Sequence, residues 1–170
     1  ALNGKKVLLS CSERLMDKSV EICESLGGRA LSCSLIGLKR TLESLDMKDY
    51  DWIVLTSPAA IHFFMELLKK QKNDLRRIPQ IIVCGVPSAD CLGEYGIHPD
   101  LCPPASFSAD ELIKAARPLI GEGDKVLRPR SESAGSKITD ALRTCGADVT
   151  DTVLYTNMRC PVPEECPEFD

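Results

Sequence analysis

The chain predicts an α/β protein built on a doubly wound parallel sheet, and three observations lead there. Short apolar runs alternate along the chain with stretches of helical period. The runs are apolar at nearly consecutive positions, as strands covered on both faces must be. Cap and turn residues separate the two kinds of segment at the spacing of strand–helix–strand units, whose right-handed crossovers place helices on both faces of one sheet.

The first strand is "VLLSC" (7–11), followed by a helix with Met16, Val20 and Cys23 on one stripe. Gly27-Gly28 then stand where a left-handed C-cap is wanted. A second strand is expected across "ALSCSLIGL" (30–38) and a third across "WIVLTS" (52–57). Pro58 suits the first position of the next helix, because its missing N–H would have had no partner there. In that helix Ile61, Phe64, Met65 and Leu68 fall at i, i+3, i+4 and i+7. The fourth strand is "IIVCG" (81–85), leading through Gly85 and Ser88 into a helix. Ser108 with Glu111 forms a capping box before Leu112, Ile113 and Ala116. The fifth strand, "KVLRPR" (125–130), precedes a stripe of Ala134, Ile138, Ala141, Leu142 and Cys145 that ends at Gly146. Pro129 is a natural place for that strand to stop. The sixth strand is "DVTDTVLY" (148–155), and the proline-rich, acidic "CPVPEECPEFD" (160–170) reads as a linker. Residues 30–155 should therefore hold a parallel sheet of about five strands.

With 170 residues, 44% hydrophobic and 27% charged, the chain can bury a core of its own. A net charge of −4 supplies no basic footprint, so neither nucleic acid nor an anionic membrane is an expected partner. Any anionic ligand must be held by local groups. No apolar run approaches a membrane span, and "ALNGKKVLLS" is not a signal peptide, which points to a cytoplasmic protein.

Nine cysteines raise the question of a metal or disulfide set. No two stand as C-x-x-C, and only His62 and His98 could complete a zinc site, so the spacing argues for reduced core thiols and no metal. His62 lies off the apolar stripe of its helix and reads as solvated. Nucleotide cofactors find no support, since "GVPSAD" is no dinucleotide fingerprint and a phosphate-binding P-loop does not occur. A nucleophile elbow with a Ser-His-Asp set is missing too.

What remains is a recurring strand end. Thr56-Ser57-Pro58, Gly85 to Ser88, and Arg128, Arg130 and Ser131 all follow apolar strands and precede helices. A hydroxyl there caps the helix, worth about 1 kcal/mol. The same position can hold an anion, because helix-start amides lack partners and parallel sheets bind ligands at their carboxyl ends. Arg128 and Arg130 alternate in an extended segment and share a face. They suit carboxylates or phosphates, or else pair with a neighbour such as Asp124 or Glu132.

In order and spacing, "LNGKKVLLS", "DWIVLTSPAAIHFF", "IIVCGVPSADCLGEYGIHPDLCPPASFSADELI" and "KVLRPRSESAGSKITDALRTCGADVTDTVLYTN" resemble uroporphyrinogen-III synthase over residues 4–157. The resemblance implies a flavodoxin-like lobe and closure of hydroxymethylbilane, a linear tetrapyrrole, into uroporphyrinogen III. The last pyrrole ring is inverted and water is lost, with no metal or cofactor. Tyr155 falls on the family's tyrosine near the cleft, a donor to the departing hydroxyl, or simply a strand-end tyrosine with its ring in the core. Ser88 falls on the family's Thr/Ser and Ser57 on the serine of its TSP. Thr56, Arg128 and Arg130 complete the expected substrate-binding set.

Two positions depart from the family pattern: Cys11 stands where an arginine usually ends the first strand, and Ser34 where a proline is usual. Family members have two lobes. The resemblance therefore implies a first-lobe strand–helix unit at 1–29, a complete second lobe at 30–157 and a linker at 158–170, an inactive fragment by itself. Self-association through the incomplete first lobe is one expectation. Fusion to a uroporphyrinogen methyltransferase is another, since L-x-G-K-K-V-L resembles that junction. The rival readings are a ligand-sensing module without catalysis and a flavodoxin-like receiver or electron carrier; the last lacks its acidic pocket or flavin loop.

Overall fold

A computed structural model of the chain describes residues 1–103 and 108–161, without the side chains of Glu13 and Arg14. Most of the 160–170 segment expected to be a linker lies outside the described residues. The chain forms two compact units, one from Ala1–Lys39 with the chain from Asn157 on, the other from Arg40–Thr156.

In the smaller unit, β1 (Lys6–Leu9) and β2 (Arg29–Ser32) pair in parallel from Lys6↔Arg29 to Leu9↔Ser32, joined by α1 (Glu13–Ser25). Gly27, at φ +78, makes the left-handed turn after α1. Leu15, Ile22 and Leu26 are exposed.

The expected strand 30–38 is two strands. Residues up to Ser32 pair with β1, while β3 (Ile36–Arg40) joins a different, five-stranded sheet. Ser32 and Ser34 flank the break, but single serines also occur inside strands, so the pattern alone could not mark it. The chain continues with β4 (Trp52–Leu55), α2 (Pro58–Gln71), β5 (Gln80–Val83), α3 (Val86–Gly93) and α4 (Ala109–Ala116). It closes with β6 (Lys125–Ser131), α5 (Lys137–Thr144) and β7 (Asp148–Arg159). The strand order is β3-β7-β6-β4-β5, and β7-β6-β4-β5 are parallel. Numbered in chain order, those four run 4-3-1-2, the flavodoxin-like arrangement, whose switch point falls between β4 and β6. β3 lies antiparallel at one edge: Thr41 N donates to Leu154 O, and Cys160 N to Leu35 O.

Successive residues of each central strand serve opposite faces. Val54, Ile82, Val126 and Val149 pack with Leu112, Ile113 and Ala116 of α4 and Ile138 and Leu142 of α5. The intervening Ile53, Leu55, Ile81 and Leu127 are fully buried as well, as doubly covered strands require. α2 buries Ala60, Phe63 and Leu67 beyond the expected stripe, since it packs on both the sheet and α3.

β6 does not end at Pro129, which pairs with Thr152 of β7. The pairing of β6 with β4 stops at Ile53↔Leu127, so the proline falls beyond the last residue that β4 engages. Four cysteines, Cys23, Cys33, Cys84 and Cys91, are buried free thiols, and burial pushes the Cys84 thiol up from its ordinary range. Among the described residues no helix is long and apolar enough to cross a membrane.

Gly146 ends α5 at φ +91, and a Cβ there would sit 3.0 Å from Glu122 Cα. Gly146→Ala should therefore lower the unfolding free energy by about 1 kcal/mol or more, read from the urea midpoint. An unchanged midpoint would contradict this geometry.

Candidate active site

The corner after β4 is built by its own sequence. Ser57, extended at φ −154, caps α2 by accepting from Ala60 N at 3.2 Å, and Pro58 takes the first helical position. The same Ser57 Oγ lies 3.3 Å from the Tyr155 hydroxyl of β7, ninety-eight residues away in sequence. The Tyr155 ring stacks on Phe63 of α2, with centroids 5.0 Å apart and 25° between planes, and the residue is 7% exposed. Ring and hydroxyl are thus both fixed by α2.

Tyr155 reaches this position through an irregularity in β7. The register with β6 runs from Lys125↔Asp148 to Arg130↔Val153, then jumps to Ser131↔Tyr155. The extra residue makes Leu154 and Tyr155 both buried, breaking the period of two that a regular strand would keep. "VLYTN" holds a trace of it, three consecutive apolar residues where alternation should fall.

The other expected residues are placed as follows. Thr56 is half-buried beside Ser57. Ser88 is 2% exposed in the first turn of α3, with its N–H donating to Gly85 O at 3.1 Å. Gly85 caps that helix at φ +79.

Arg128 and Arg130 do share a side of β6, but neither pairs through a carboxylate of Asp124 or Glu132. Both converge on Asp151 of β7, the register partner of Arg128: Arg128 Nη1 lies 3.3 Å from Oδ1 and Arg130 Nε 3.0 Å from Oδ2. Arg128, 3% exposed, also donates from Nη1 to Thr139 Oγ1 at 2.8 Å and to Gly135 O at 3.1 Å. Its Nε is buried with no partner among the described residues. Burial, foremost, pulls the Arg128 pKa down against the attraction of Asp151, with Arg130 adding to the downward pull. Arg130 Nη1 binds the carbonyls of Ser131, Glu132 and Ala134. These guanidinium groups hold the loop between β6 and α5 in shape.

A cavity of 530 Å³ opens elsewhere, along the carboxyl-terminal half of α2, lined by Met65, Lys69, Lys72, Leu75 and Tyr95 among others. It holds neither Ser57 nor Tyr155. At the strand ends, by contrast, paired hydroxyls, an aromatic ring and helix starts converge beside the switch point.

Fold and strand-end hydroxyls define a doubly wound α/β protein with a polar site at the carboxyl edge of its sheet. The family model described as uroporphyrinogen-III synthase HemD matches residues 17–169, and the chain belongs to that family. A Synechococcus elongatus uroporphyrinogen-III synthase is 33% identical over 122 residues, covering 69% of this chain and 45% of that protein. A Methanothermobacter thermautotrophicus relative, provisionally named for the same synthase, is 31% identical over 154 residues, covering 87% and 59%. A mutant uroporphyrinogen III synthase of Thermus thermophilus superposes with a TM-score of 0.63 at 17% identity, covering 92% of this chain and 64% of that one. The uroporphyrinogen-III synthetase of Helicobacter pylori gives 0.58 at 20% identity, covering 81% and 59%. The chain thus spans about half the length of these curated relatives.

Removing the Asp151 charge would strand two guanidinium groups, one of them buried. Asp151→Asn should lower the unfolding free energy by about 3 kcal/mol in a denaturant titration. A loss under about 0.5 kcal/mol, the level of an exposed pair, would show that the bridge is not the anchor described.

Proposed function

We propose that this chain carries the reactive corner of a uroporphyrinogen-III synthase, which closes hydroxymethylbilane into uroporphyrinogen III with inversion of the last pyrrole ring and loss of water. The observation that carries the reading is the Tyr155–Ser57 hydroxyl pair at the ends of β7 and β4, in a chain whose family match spans most of its length. Because the relatives are longer, the activity is assigned to the whole protein in which this chain stands.

The reaction asks for little nucleophilic help. The hydroxymethyl C–O bond breaks, its oxygen leaves as water with one added proton, and the same pyrrole loses its N–H proton to become an azafulvene. The substituted carbon of the last ring attacks that methylene to give a spiro intermediate. Cleavage and re-formation of one bridging bond, followed by loss of a ring proton, complete the inverted macrocycle. Tyr155 is the donor toward the departing hydroxyl, and Ser57, held by Ala60 N–H, orients it. Thr56 and the first-turn amides of α2 and α3 not already bonded to Ser57 Oγ or Gly85 O receive acetate and propionate groups, and the buried Ser88 supports the first turn of α3. The enzyme's main work is to hold the flexible bilane so that the last ring is attacked at its substituted carbon.

A ligand-sensing module without catalysis is the second reading. It is favoured by the inward commitment of Arg128 and Arg130, which leaves the strand ends short of cationic groups for eight carboxylates on the bilane.

The full-length protein, supplied with hydroxymethylbilane, should produce type III isomer in excess of the spontaneous type I product. Tyr155→Phe should reduce kcat by roughly 10²-fold with KM nearly unchanged. Bilane binding without a type III excess would favour the sensing module, and an unaltered kcat in Tyr155→Phe would remove the tyrosine from the mechanism.

A further inference from the structure

Side chains that the proposed reaction does not use gather where α2 meets α3. His62, half-buried on α2, has Nδ1 2.7 Å from the Tyr95 hydroxyl and Nε2 3.3 Å from Cys91 Sγ. The two rings meet edge to face, with centroids 5.8 Å apart and 68° between planes. Cys91 is 5% exposed, whereas Glu94, the C-cap of α3, is exposed. Donor atoms of His62, Cys91 and Glu94 all lie within 4.8 Å of one another.

Ligands about 2.0–2.3 Å from a tetrahedral ion stand roughly 3.3–3.8 Å apart, so small rotations of these side chains would bring them to coordinating distance. We propose that His62 Nε2, Cys91 Sγ and a Glu94 carboxylate oxygen bind a divalent cation of the zinc class, with a fourth position left to water. Thiolate and imidazole select such an ion over magnesium or calcium, which take oxygen donors. The partner of the other ring nitrogen fits as well. With Nδ1–H donating to the Tyr95 hydroxyl, Nε2 turns its lone pair toward the ion, and the ring is held in place. On binding, the Cys91 S–H bond breaks, its proton passes to solvent, and the sulfur–metal bond forms; imidazole stays neutral and the carboxylate ionised. One thiolate and one carboxylate then balance the ion's two positive charges, which is how a buried thiolate becomes tolerable.

His62 and Cys91 are 29 residues apart, so no C-x-x-C spacing announces the site. An ion there would tie α2 to α3, the two helices that begin at the Ser57 and Gly85–Ser88 corners. Its detection does not depend on the synthase reaction.

The test is a titration of the chelator-stripped full-length protein with Co²⁺ alone, followed by Zn²⁺ competition. One Co²⁺ per chain should bind with a thiolate charge-transfer band and tetrahedral visible absorption, releasing about one proton, and Zn²⁺ should displace it and raise the thermal midpoint. Cys91→Ser should abolish the band and the thermal shift. Glu94→Gln and His62→Gln should weaken binding by roughly tenfold or more, and Tyr95→Phe should keep the band with about tenfold weaker binding. A wild-type protein without the band overturns the proposal. So does a band that survives in Cys91→Ser or, should that variant not fold, a Co²⁺ affinity unchanged in His62→Gln.

Discussion

The larger unit depends on a charge kept inside it. Arg128 is buried on β6 and meets Asp151 of β7, Thr139 of α5 and the carbonyl of Gly135, so one guanidinium ties two neighbouring strands to the helix that joins them. Burying it costs several kcal/mol before any partner is counted, and the attraction of Asp151 offsets that only while the geometry holds. Arg130 takes the other oxygen of Asp151 and the carbonyls of the following loop. The path of the chain after β6 is thereby fixed at the carboxyl edge of the sheet.

That fixing matters because a parallel sheet puts every strand's carboxyl end on one edge, where each helix start leaves unpaired amides. Here the edge gains directed chemistry from one irregularity. The register jump after Arg130↔Val153 turns Tyr155 into contact with Phe63 and Ser57, both presented by α2. A helix cap and the tyrosine proposed as proton donor thus share one hydrogen bond. Ser57 serves stability through Ala60 N–H and, in the proposed reaction, orients Tyr155.

Local signals made much of this legible. The strands at 52–57, 81–85 and 148–155, the Ser57 and Ser108 caps and the Gly146 terminus are short-range effects written in a few adjacent residues. Register was not legible. Whether 30–38 is one strand or two depends on β1 and β7, and whether Pro129 stops β6 depends on where β4 ends. The burial of Arg128 depends on Asp151, twenty-three residues away, where Asp124 and Glu132 looked equally available. His62 reads as solvated on its own helix because its partners, Cys91 and Tyr95, come from α3 and the turn that follows it.

The most direct test of the central claim is to locate a bound bilane. A linear tetrapyrrole lacking the hydroxymethyl group cannot close, and its contacts can be mapped by backbone amide chemical shifts of the full-length protein. The account predicts the largest shifts at 57–60, 85–88 and Tyr155, with the far ends of the same strands unmoved. Shifts confined to the cavity beside Met65, Lys69 and Lys72, with the strand ends silent, would contradict it.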